Sequence, residues 1–341
     1  MNPGTVLIRA DANVSIGTGH VMRCLALAQA WQDRGGAVHW ISSELPDALA
    51  CRLKSEAISH TDGAGLPGST EDAATTVARA HQIGARWVVV DGERFESEFL
   101  GHIHDHGLHL LLVDDFADRQ VLPVSLIVNP NSGVKAETYR ERAGSETVLA
   151  GPKYCLLRRE FRTLRPRSGS EGKRVLISLG GSDPENFTPR VAVALAGCDG
   201  LRLTLVAGPA NPATDCLRQL SAPNVEILFD VKNMAEVIAD SDIAVIAAGG
   251  TLWELLAMGC VVLSYARNAL QKNVVESLAS GGMIVDMGDT VRFEPDALRS
   301  EVARLAASRS ARERMAEAGR KLVDGAGAMR VIDAMLQYGA D

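Results

Sequence analysis

Short runs of β-branched and leucine residues alternate with helical patterns along the chain, and this alternation constrains the fold most strongly. Strands that alternate with helices form βαβ units, whose successive strands pair in parallel within one sheet. The alternation runs through the first half, stops, and starts again at residues 174–179. The sequence therefore predicts an α/β protein of two doubly wound, Rossmann-like domains that face each other across a cleft.

The individual elements are predicted from the spacing of apolar residues, which differs between strands and helices. In the first half, strands are predicted near residues 5–10, 37–42, 86–90, 109–113 and 124–128, and helices near 19–34, 71–83 and 95–106. In the second half, strands are predicted at 174–179, 202–207, 224–229, 242–247, 260–264 and 283–286, with helices between them. Two or three helices between about 295 and 337 end the pattern.

A polar segment at residues 162–173 separates the two halves. It is rich in Gly, Ser and Arg and has no periodicity, which is typical of an inter-domain linker. A chain of 341 residues is also too long for one ordinary core. We therefore predict domains at residues 1–165 and 166–341, with the terminal helices of the second domain bridging the two.

Charge and cysteine content narrow the class of protein. The net charge is −7 with basic and acidic residues interspersed, which argues against a nucleic-acid-binding surface. The six cysteines form no C-x-x-C pair, so we expect buried thiols rather than disulfides or a zinc site. No signal-peptide pattern opens the chain, and no apolar run approaches the ~20 residues of a membrane span. We expect a cytoplasmic monomer without membrane or nucleic-acid partners.

A glycine-containing loop leads from the first predicted strand to a helix whose first turn carries His20. Gly17 and Gly19 let a ligand approach the backbone, at the sheet edge where ligands bind. A helix N-terminus disfavours the imidazolium, so a neutral His20 can act as a general base near pH 7. Asp11 is expected to orient it. The alternative is a histidine that only hydrogen-bonds its own loop. The loop lacks the third glycine of the dinucleotide fingerprint.

Two glycine turns in the second half predict anion binding. One is Gly180-Gly181-Ser182-Asp183, where Asp183 or Ser182 can cap the following helix, and a plain strand–helix turn is the alternative. The other is Ala248-Gly249-Gly250-Thr251, whose helix-start N–H groups and hydroxyl can cradle a phosphate. Glu254 can accept two hydrogen bonds from the vicinal hydroxyls of a ribose, or it can serve as a capping-box glutamate. Together these features favour nucleotide binding.

Four histidines at residues 102–109 suggest a metal site at first sight. His102 and His106 stand four apart on a predicted helix, which is a workable ligand spacing. However, Gly107 is expected to end that helix, and histidine is also favoured near a helix C-terminus. We therefore expect an exposed helix end, no metal and no cofactor.

Several of these motifs together resemble one known family. They are Arg9-Ala10-Asp11, Ile16 to Cys24, Leu149 to Arg158, Gly180 to Pro184 and Ala248 to Glu254. In this order they resemble the UDP-2,4-diacetamido-2,4,6-trideoxy-β-L-altropyranose hydrolase family of pseudaminic acid biosynthesis, including its spore-coat-polysaccharide relatives. The resemblance covers residues 5–285. It implies the glycosyltransferase-B fold and an inverting hydrolase that cleaves the anomeric C–O bond of a UDP-sugar.

The resemblance also implies roles for individual residues. His20 corresponds to the catalytic residue that activates water, and Glu254 to the ribose ligand, while Asp11 remains the residue that we expect to orient His20. The implied diphosphate cradle consists of Gly180, Gly181, Ser182, Ala248, Gly249, Gly250 and Thr251. The residues expected to border the sugar are Gly17, Gly19, Asn268 and Gln271.

Two segments depart from the family pattern. Where the family has Ala-Asp/Glu-Asn-Gln, this chain has Ala266-Arg267-Asn268-Ala269-Leu270-Gln271, so Asn268 matches and Gln271 is displaced by two positions. Where the family has Asp-x-Tyr, this chain has Asp91-Gly92-Glu93-Arg94-Phe95. Both segments are expected near the sugar, so the resemblance specifies UDP more closely than the sugar. A glycosyltransferase of the same fold and a nucleotide-sugar-binding protein without turnover are the alternative hypotheses.

Overall fold

The computed structural model describes residues 3–338, except 14, 118–122, 144–146, 165–170, 181–182, 184, 209–216, 219, 221 and 230. The chain divides into two compact units. The first unit comprises Met1–Arg159 together with Gly325–Asp341, and the second comprises Glu160–Asp324.

Each unit is a parallel sheet with helices between its strands. The strands of the first unit are β1 (Thr5–Ala10), β2 (Ala37–Ser42), β3 (Ser59–Asp62), β4 (Trp87–Asp91), β5 (His109–Val113), β6 (Leu126–Asn129) and β7 (Thr147–Ala150). Its helices are α1 (Gly19–Asp33), α2 (Asp47–Ser55), α3 (Thr70–Gln82), α4 (Ser97–Asp105) and α5 (Ala136–Ala143), followed by a short 3₁₀ turn (Pro152–Tyr154).

The second unit begins within α6 (Arg159–Thr163). Its strands are β8 (Arg174–Ser178), β9 (Arg202–Ala207), β10 (Val225–Phe229), β11 (Ile243–Ala247), β12 (Val261–Ala266) and β13 (Ile284–Asp289). Its helices are α7 (Phe187–Ala196), α8 (Met234–Ala239), α9 (Gly250–Met258), α10 (Ala269–Ser280), α11 (Pro295–Ala307) and α12 (Arg309–Leu322). The last helix, α13 (Gly327–Gln337), returns to the first unit.

The strand orders place a topological switch point in each sheet. The seven-stranded sheet has the order β3-β2-β1-β4-β5-β6-β7, and the six-stranded sheet has the order β10-β9-β8-β11-β12-β13. The direction of winding therefore reverses between β1 and β4 in the first sheet and between β8 and β11 in the second. In open α/β sheets, ligands bind beyond the carboxyl ends of the strands at such points.

Alternating strand residues build a core on each face of the first sheet. Val6 and Ile8 of β1 pack in the cluster that includes α1 and α13, whereas Leu7 packs in the cluster that includes α3 and α4. In the second unit, one large cluster joins β8 residues to α7 and α11. Strands buried on both faces have the near-continuous apolar sequences from which they were predicted.

The C-terminal helix packs in a different unit from the predicted one. Its apolar residues Ala328, Val331, Ile332 and Met335 belong to the core of the first unit. Gly327 packs so closely that a Cβ there would lie 2.2 Å from the Cys155 carbonyl oxygen. The spacing of these residues predicts an apolar helix face, but it does not specify which core the face covers.

All the predicted strands form, and the helix predictions at 19–34, 71–83 and 95–106 are confirmed within one or two residues. The strands β3 and β7 and the helices α2, α5 and α6 were not predicted. The two missed strands are the edges of the first sheet. An edge strand has one neighbour and little buried surface, so β3 consists of Ser-His-Thr-Asp and carries no apolar signal.

The cysteines are mostly buried, as predicted. Cys24, Cys155 and Cys260 are buried free thiols, whereas Cys51 is exposed. Cys216 lies outside the described residues.

Candidate active site

The loop between β1 and α1 places His20 at the switch point of the first sheet. The Asn13 side-chain oxygen accepts a hydrogen bond from the Ile16 N–H at 2.8 Å and thereby closes a turn. Gly17 donates to the Asn13 carbonyl at 2.9 Å with a φ of 75°, in the left-handed region that favours glycine. Gly19 then begins α1, and His20 is its second residue.

His20 forms a short hydrogen bond with a carboxylate of the adjacent strand. Its Nδ1 lies 2.6 Å from Oδ1 of Asp91, the last residue of β4, which pairs with β1. The Asp91 side chain is fully buried and that of His20 is 16% exposed. Because an ionised carboxylate only accepts hydrogen bonds, Nδ1 carries the proton, and Nε2 of the neutral ring holds the lone pair. We call this pair the His20–Asp91 dyad.

Arg23, one turn beyond His20, connects the dyad to a second carboxylate. Its Nε and Nη2 donate to the two Asp91 oxygens at 2.6 Å each. Its Nη1 donates to both oxygens of Asp115, at 2.8 and 2.9 Å. Asn131 donates to the same carboxylate at 3.1 Å. Paired arginine–carboxylate contacts fix orientation as well as distance, so Arg23 holds Asp91 in place beneath His20.

These charges set the protonation of the dyad. The negative charge of Asp91 raises the pKa of His20 above its ordinary value, against the opposing effects of burial and of Arg23. Burial favours a higher pKa for Asp91, but the charges of Arg23 and His20 outweigh it and hold that pKa far below its ordinary value. The prediction that the helix N-terminus disfavours the imidazolium is therefore wrong. A buried carboxylate 2.6 Å away has a larger effect than a helix dipole.

Asp11 does not orient His20, contrary to the prediction. Its Oδ1 accepts hydrogen bonds from the N–H groups of Ser43 and Glu44 at 2.7 and 3.2 Å. The same oxygen lies 2.7 Å from Nη1 of the fully buried Arg9. Asp11 thus holds the loop that follows β2, and within the described residues it has no contact with His20. The orienting carboxylate comes from β4 instead.

Arg23 and Asp115 were not assigned to the site from the sequence, and Asp91 was expected near the sugar but not as the partner of His20. Arg23 stands three residues after His20, a spacing that places two side chains on the same face of a helix. Asp91 ends a strong strand pattern in the first half of the chain. If β4 had been predicted to pair with β1, the spacing of Arg23 and the position of Asp91 at a strand end would together have predicted the dyad.

In the second unit, the turn after β8 is a helix cap. Asp183 accepts hydrogen bonds from the N–H groups of Phe187 and Thr188 at 3.1 and 2.8 Å, which confirms its predicted capping role. Gly180 has a φ of 99°. Residues 181–182, predicted to belong to the diphosphate cradle, lie outside the described residues.

The turn after β11 carries the unpaired N–H groups of this switch point. The N–H groups of Ala248 and Gly249 are occupied, since they donate to the carbonyls of Tyr265 and Ala247. By contrast, the N–H groups of Gly250 and Thr251 and the Thr251 hydroxyl have no partner in the described part of the chain. They lie at the N-terminus of α9, where partial positive charge also favours an anion.

The residues predicted for the ribose and the sugar lie on α9 and α10. Glu254 is half-buried one turn into α9. Asn268 caps α10, since its side-chain oxygen accepts the Gln271 N–H at 2.9 Å. The Gln271 side-chain oxygen in turn accepts the Arg267 N–H at 2.9 Å. The NH₂ groups of both amides have no partner among the residues described, so each can still donate to a ligand.

The histidine-rich segment is a helix end. Helix α4 stops at Asp105, and Gly107 follows with a φ of 77°, as predicted. The His106 ring approaches the His102 carbonyl oxygen at 2.7 Å. Across the described residues, no group of three or more His, Cys, Asp or Glu side chains is arranged to hold a metal ion. Among the helices of those residues, none is both long and apolar enough to cross a membrane.

Comparisons with known proteins give the relatives of this chain. No family model matches it. The chain is 24% identical over 291 residues to the UDP-2,4-diacetamido-2,4,6-trideoxy-β-L-altropyranose hydrolase of Campylobacter jejuni, covering 82% of this chain and 98% of that one. It is 28% identical to the Bacillus subtilis spore coat polysaccharide biosynthesis protein SpsG, over 55% of this chain, and 26% identical to an uncharacterised Methanocaldococcus jannaschii protein, over 78%. The matched part of the chain spans only 58% of the length of SpsG and 56% of the length of the Methanocaldococcus protein.

Solved structures of similar fold cover nearly the whole chain. MurG of Acinetobacter baumannii matches with a TM-score of 0.67 and 17% identity over 98% of this chain and 99% of that one. A putative UDP-N-acetylglucosamine 2-epimerase of Listeria monocytogenes matches with a TM-score of 0.70 and 14% identity over 100% and 97%. At these identities the likeness concerns the fold. The chain therefore has the glycosyltransferase-B fold and is a homologue of the Campylobacter UDP-diacetamido-trideoxy-altropyranose hydrolase and of SpsG.

Proposed function

We propose that this chain is a UDP-sugar hydrolase. It cleaves the anomeric C–O bond of a UDP-linked diacetamido-trideoxyhexose with inversion, and it releases UDP and the free sugar without a metal ion. The observation that carries the proposal is the 2.6 Å contact between His20 Nδ1 and buried Asp91, which leaves Nε2 as the proton acceptor. Homology to the Campylobacter hydrolase supports the substrate class.

In the proposed reaction, His20 acts as the general base. Its Nε2 accepts a proton from water as the water oxygen bonds to the anomeric carbon. The bond between that carbon and the β-phosphate oxygen breaks, and its electron pair leaves with UDP. A single displacement inverts the anomeric configuration. A positioned base contributes typically ~10²–10⁴-fold to the rate.

The buried charges of the first unit favour this proton transfer. With His20 neutral, Asp91, Asp115 and Arg23 sum to one negative charge, and protonation of His20 brings the sum to zero. The negative charge of Asp91 therefore stabilises the imidazolium that forms, and Arg23 holds Asp91 in contact with His20. This use of an ionised aspartate follows the general logic of Asp–His pairs in hydrolases.

The second unit supplies the nucleotide site of the proposal. The unpaired N–H groups of Gly250 and Thr251 stabilise the negative charge that develops on the departing diphosphate. Glu254 accepts the ribose hydroxyls, while Asn268 and Gln271 donate their side-chain amides to the sugar. Gly181 and Ser182 are proposed to complete the cradle beside Gly180.

The proposal is tested by incubating the purified chain with UDP-linked diacetamido-trideoxyhexoses. We expect equal amounts of UDP and free sugar by mass spectrometry and an inverted anomer in the first ¹H NMR spectra. The His20→Gln variant should form neither product at a comparable rate. Full activity of that variant would exclude the assigned base.

A glycosyltransferase would use the same base to activate an acceptor hydroxyl. In the assay above, UDP release that depends on an added sugar acceptor, with no free sugar, would select that function. Tight UDP binding without any product would select a nucleotide-sugar-binding protein.

A further inference from the structure

Arg267 crosses the switch point of the second sheet. It directly follows β12, yet its Nη2 donates to Oδ1 of Asp183, beyond the end of β8, at 2.6 Å. Strand β11 lies between β8 and β12. Since neighbouring strands are about 4.8 Å apart, the Arg267 and Asp183 side chains together bridge two strand spacings at the carboxyl end of β11. It thus lies at the edge where α9 begins with its unpaired N–H groups.

Among the described residues, most donors of this guanidinium have no partner. Nε of Arg267 is buried and meets no hydrogen-bond acceptor in that part of the chain. Nη1 also has no partner among the described residues, and the side chain as a whole is only 16% exposed. A guanidinium offers five N–H donors, and leaving them unmet in a buried place is costly. Asp183 alone therefore does not account for this arginine.

Gly180 keeps the unused end of the guanidinium accessible. A Cβ on Gly180 would lie 3.1 Å from Nη1 of Arg267, so any side chain at this position would crowd that nitrogen. The charge of Arg267 is also not fully cancelled by its partner, because Asp183 shares its own charge with two N–H groups of α7. Asp183 thus holds Nη2 of the guanidinium, while Nη1 has no partner within the described part of the chain.

We propose that Arg267 is a diphosphate-binding residue. Its Nη1 donates to a phosphate oxygen of the nucleotide, and this cationic contact adds to the N–H groups of Gly250 and Thr251. The planar, permanently charged guanidinium matches phosphate oxygens better than an ammonium does. The inference deepens the proposed function and rests on it, since it assigns Arg267 to the UDP half of the same site.

The test is calorimetric titration of the full chain with UDP, uridine and inorganic pyrophosphate. In Arg267→Gln and Arg267→Lys we expect UDP and pyrophosphate affinity to fall on the order of tenfold to a hundredfold, as for a lost charged hydrogen bond, with uridine affinity unchanged. Arg174→Lys is the matched control. Arg174 is 22% exposed and pairs with buried Asp242 at 2.8 Å, but it stands at the opposite, amino end of β8.

The outcomes separate this inference from the proposed function. Unchanged UDP affinity in both Arg267 variants, with UDP bound by the wild type, overturns the role of Arg267 and leaves the hydrolase proposal standing. If the chain binds no UDP but binds pyrophosphate in a way that depends on Arg267, the anion site is supported and UDP is excluded as its ligand. If Arg267→Gln fails to fold, Arg267→Lys decides, because a lysine can still pair with Asp183 while lacking the second terminal nitrogen.

Discussion

The switch point of the first sheet carries a histidine within a network of charged side chains, whereas that of the second carries unpaired backbone N–H groups beside the Arg267–Asp183 pair. His20, Asp91, Arg23 and Asp115 form one chain of charged contacts between 2.6 and 2.9 Å. In the second unit, Gly250 and Thr251 offer N–H groups that do not titrate. The same topology thus places a histidine that can titrate at one switch point and N–H donors that do not titrate at the other.

The largest effect is expected for His20→Gln. Glutamine keeps a polar side chain but cannot accept a proton, so kcat should fall by ~10²–10⁴-fold. UDP affinity should stay unchanged, because the nucleotide site belongs to the second unit. Steady-state kinetics and UDP titration check the two halves separately. Equal losses in kcat and in UDP affinity would contradict the assignment of catalysis to the first unit and of UDP binding to the second.

The second effect concerns Asp91→Asn. Asparagine removes the charge that raises the pKa of His20, so the acidic limb of the kcat–pH profile should move to lower pH. At the optimum, kcat should fall about a hundredfold, because the imidazolium loses its counter-charge. Glu98→Gln, which changes an exposed carboxylate on α4, is the control and should leave the profile in place. A limb that stays fixed in Asp91→Asn would contradict the dyad.

Asn268 separates helix capping from sugar binding. Asn268→Asp keeps an N-cap oxygen but loses the amide NH₂, so stability should hold while KM for the UDP-sugar rises and UDP affinity does not change. Asn268→Ala should additionally lose about 1 kcal/mol of stability with the cap. Chemical unfolding and kinetics on the two variants check this. If Asn268→Asp has the wild-type KM, Asn268 is only a cap.

A smaller effect is expected for Thr251→Val. Valine has the shape of threonine without the hydroxyl, so UDP affinity should fall about two- to tenfold for one lost hydrogen bond. The loss should be the same at pH 8 and pH 9, where the terminal phosphate of UDP is already fully ionised and the removed hydroxyl does not titrate. Calorimetry at both values measures it. A pH-dependent loss would mean that a titrating group takes part in the second site.

The smallest effect is on stability. The folded pKa of His20 lies above its unfolded value, so its contribution is complete below the unfolded pKa, near 6.5, and is lost as pH rises through the folded pKa. The difference in unfolding free energy between wild type and His20→Gln should therefore shrink from pH 6 to pH 9. Urea unfolding at several pH values measures it, and a difference that grows with pH would contradict the raised pKa.

The sequence predicted eleven of the thirteen strands in the described residues, the two doubly wound sheets and the location of His20, because buried parallel strands and glycine turns leave strong local patterns. It did not predict the partner of His20. Asp11 and Asp91 both follow strands, and only the order of strands in the sheet decides which one reaches His20. The packing of α13 on the first unit and the reach of Arg267 from β12 to Asp183 are likewise long-range contacts. No local pattern specifies them.

If His20 activates the water that attacks the anomeric carbon, hydrolysis of the UDP-sugar in ¹⁸O-enriched water will put the label in the free sugar and none in UDP. Mass spectrometry of both products measures this, and label transfer should be suppressed in His20→Gln. Label in UDP would mean attack at phosphorus, and undiminished labelling of the sugar in His20→Gln would mean that another group activates the water.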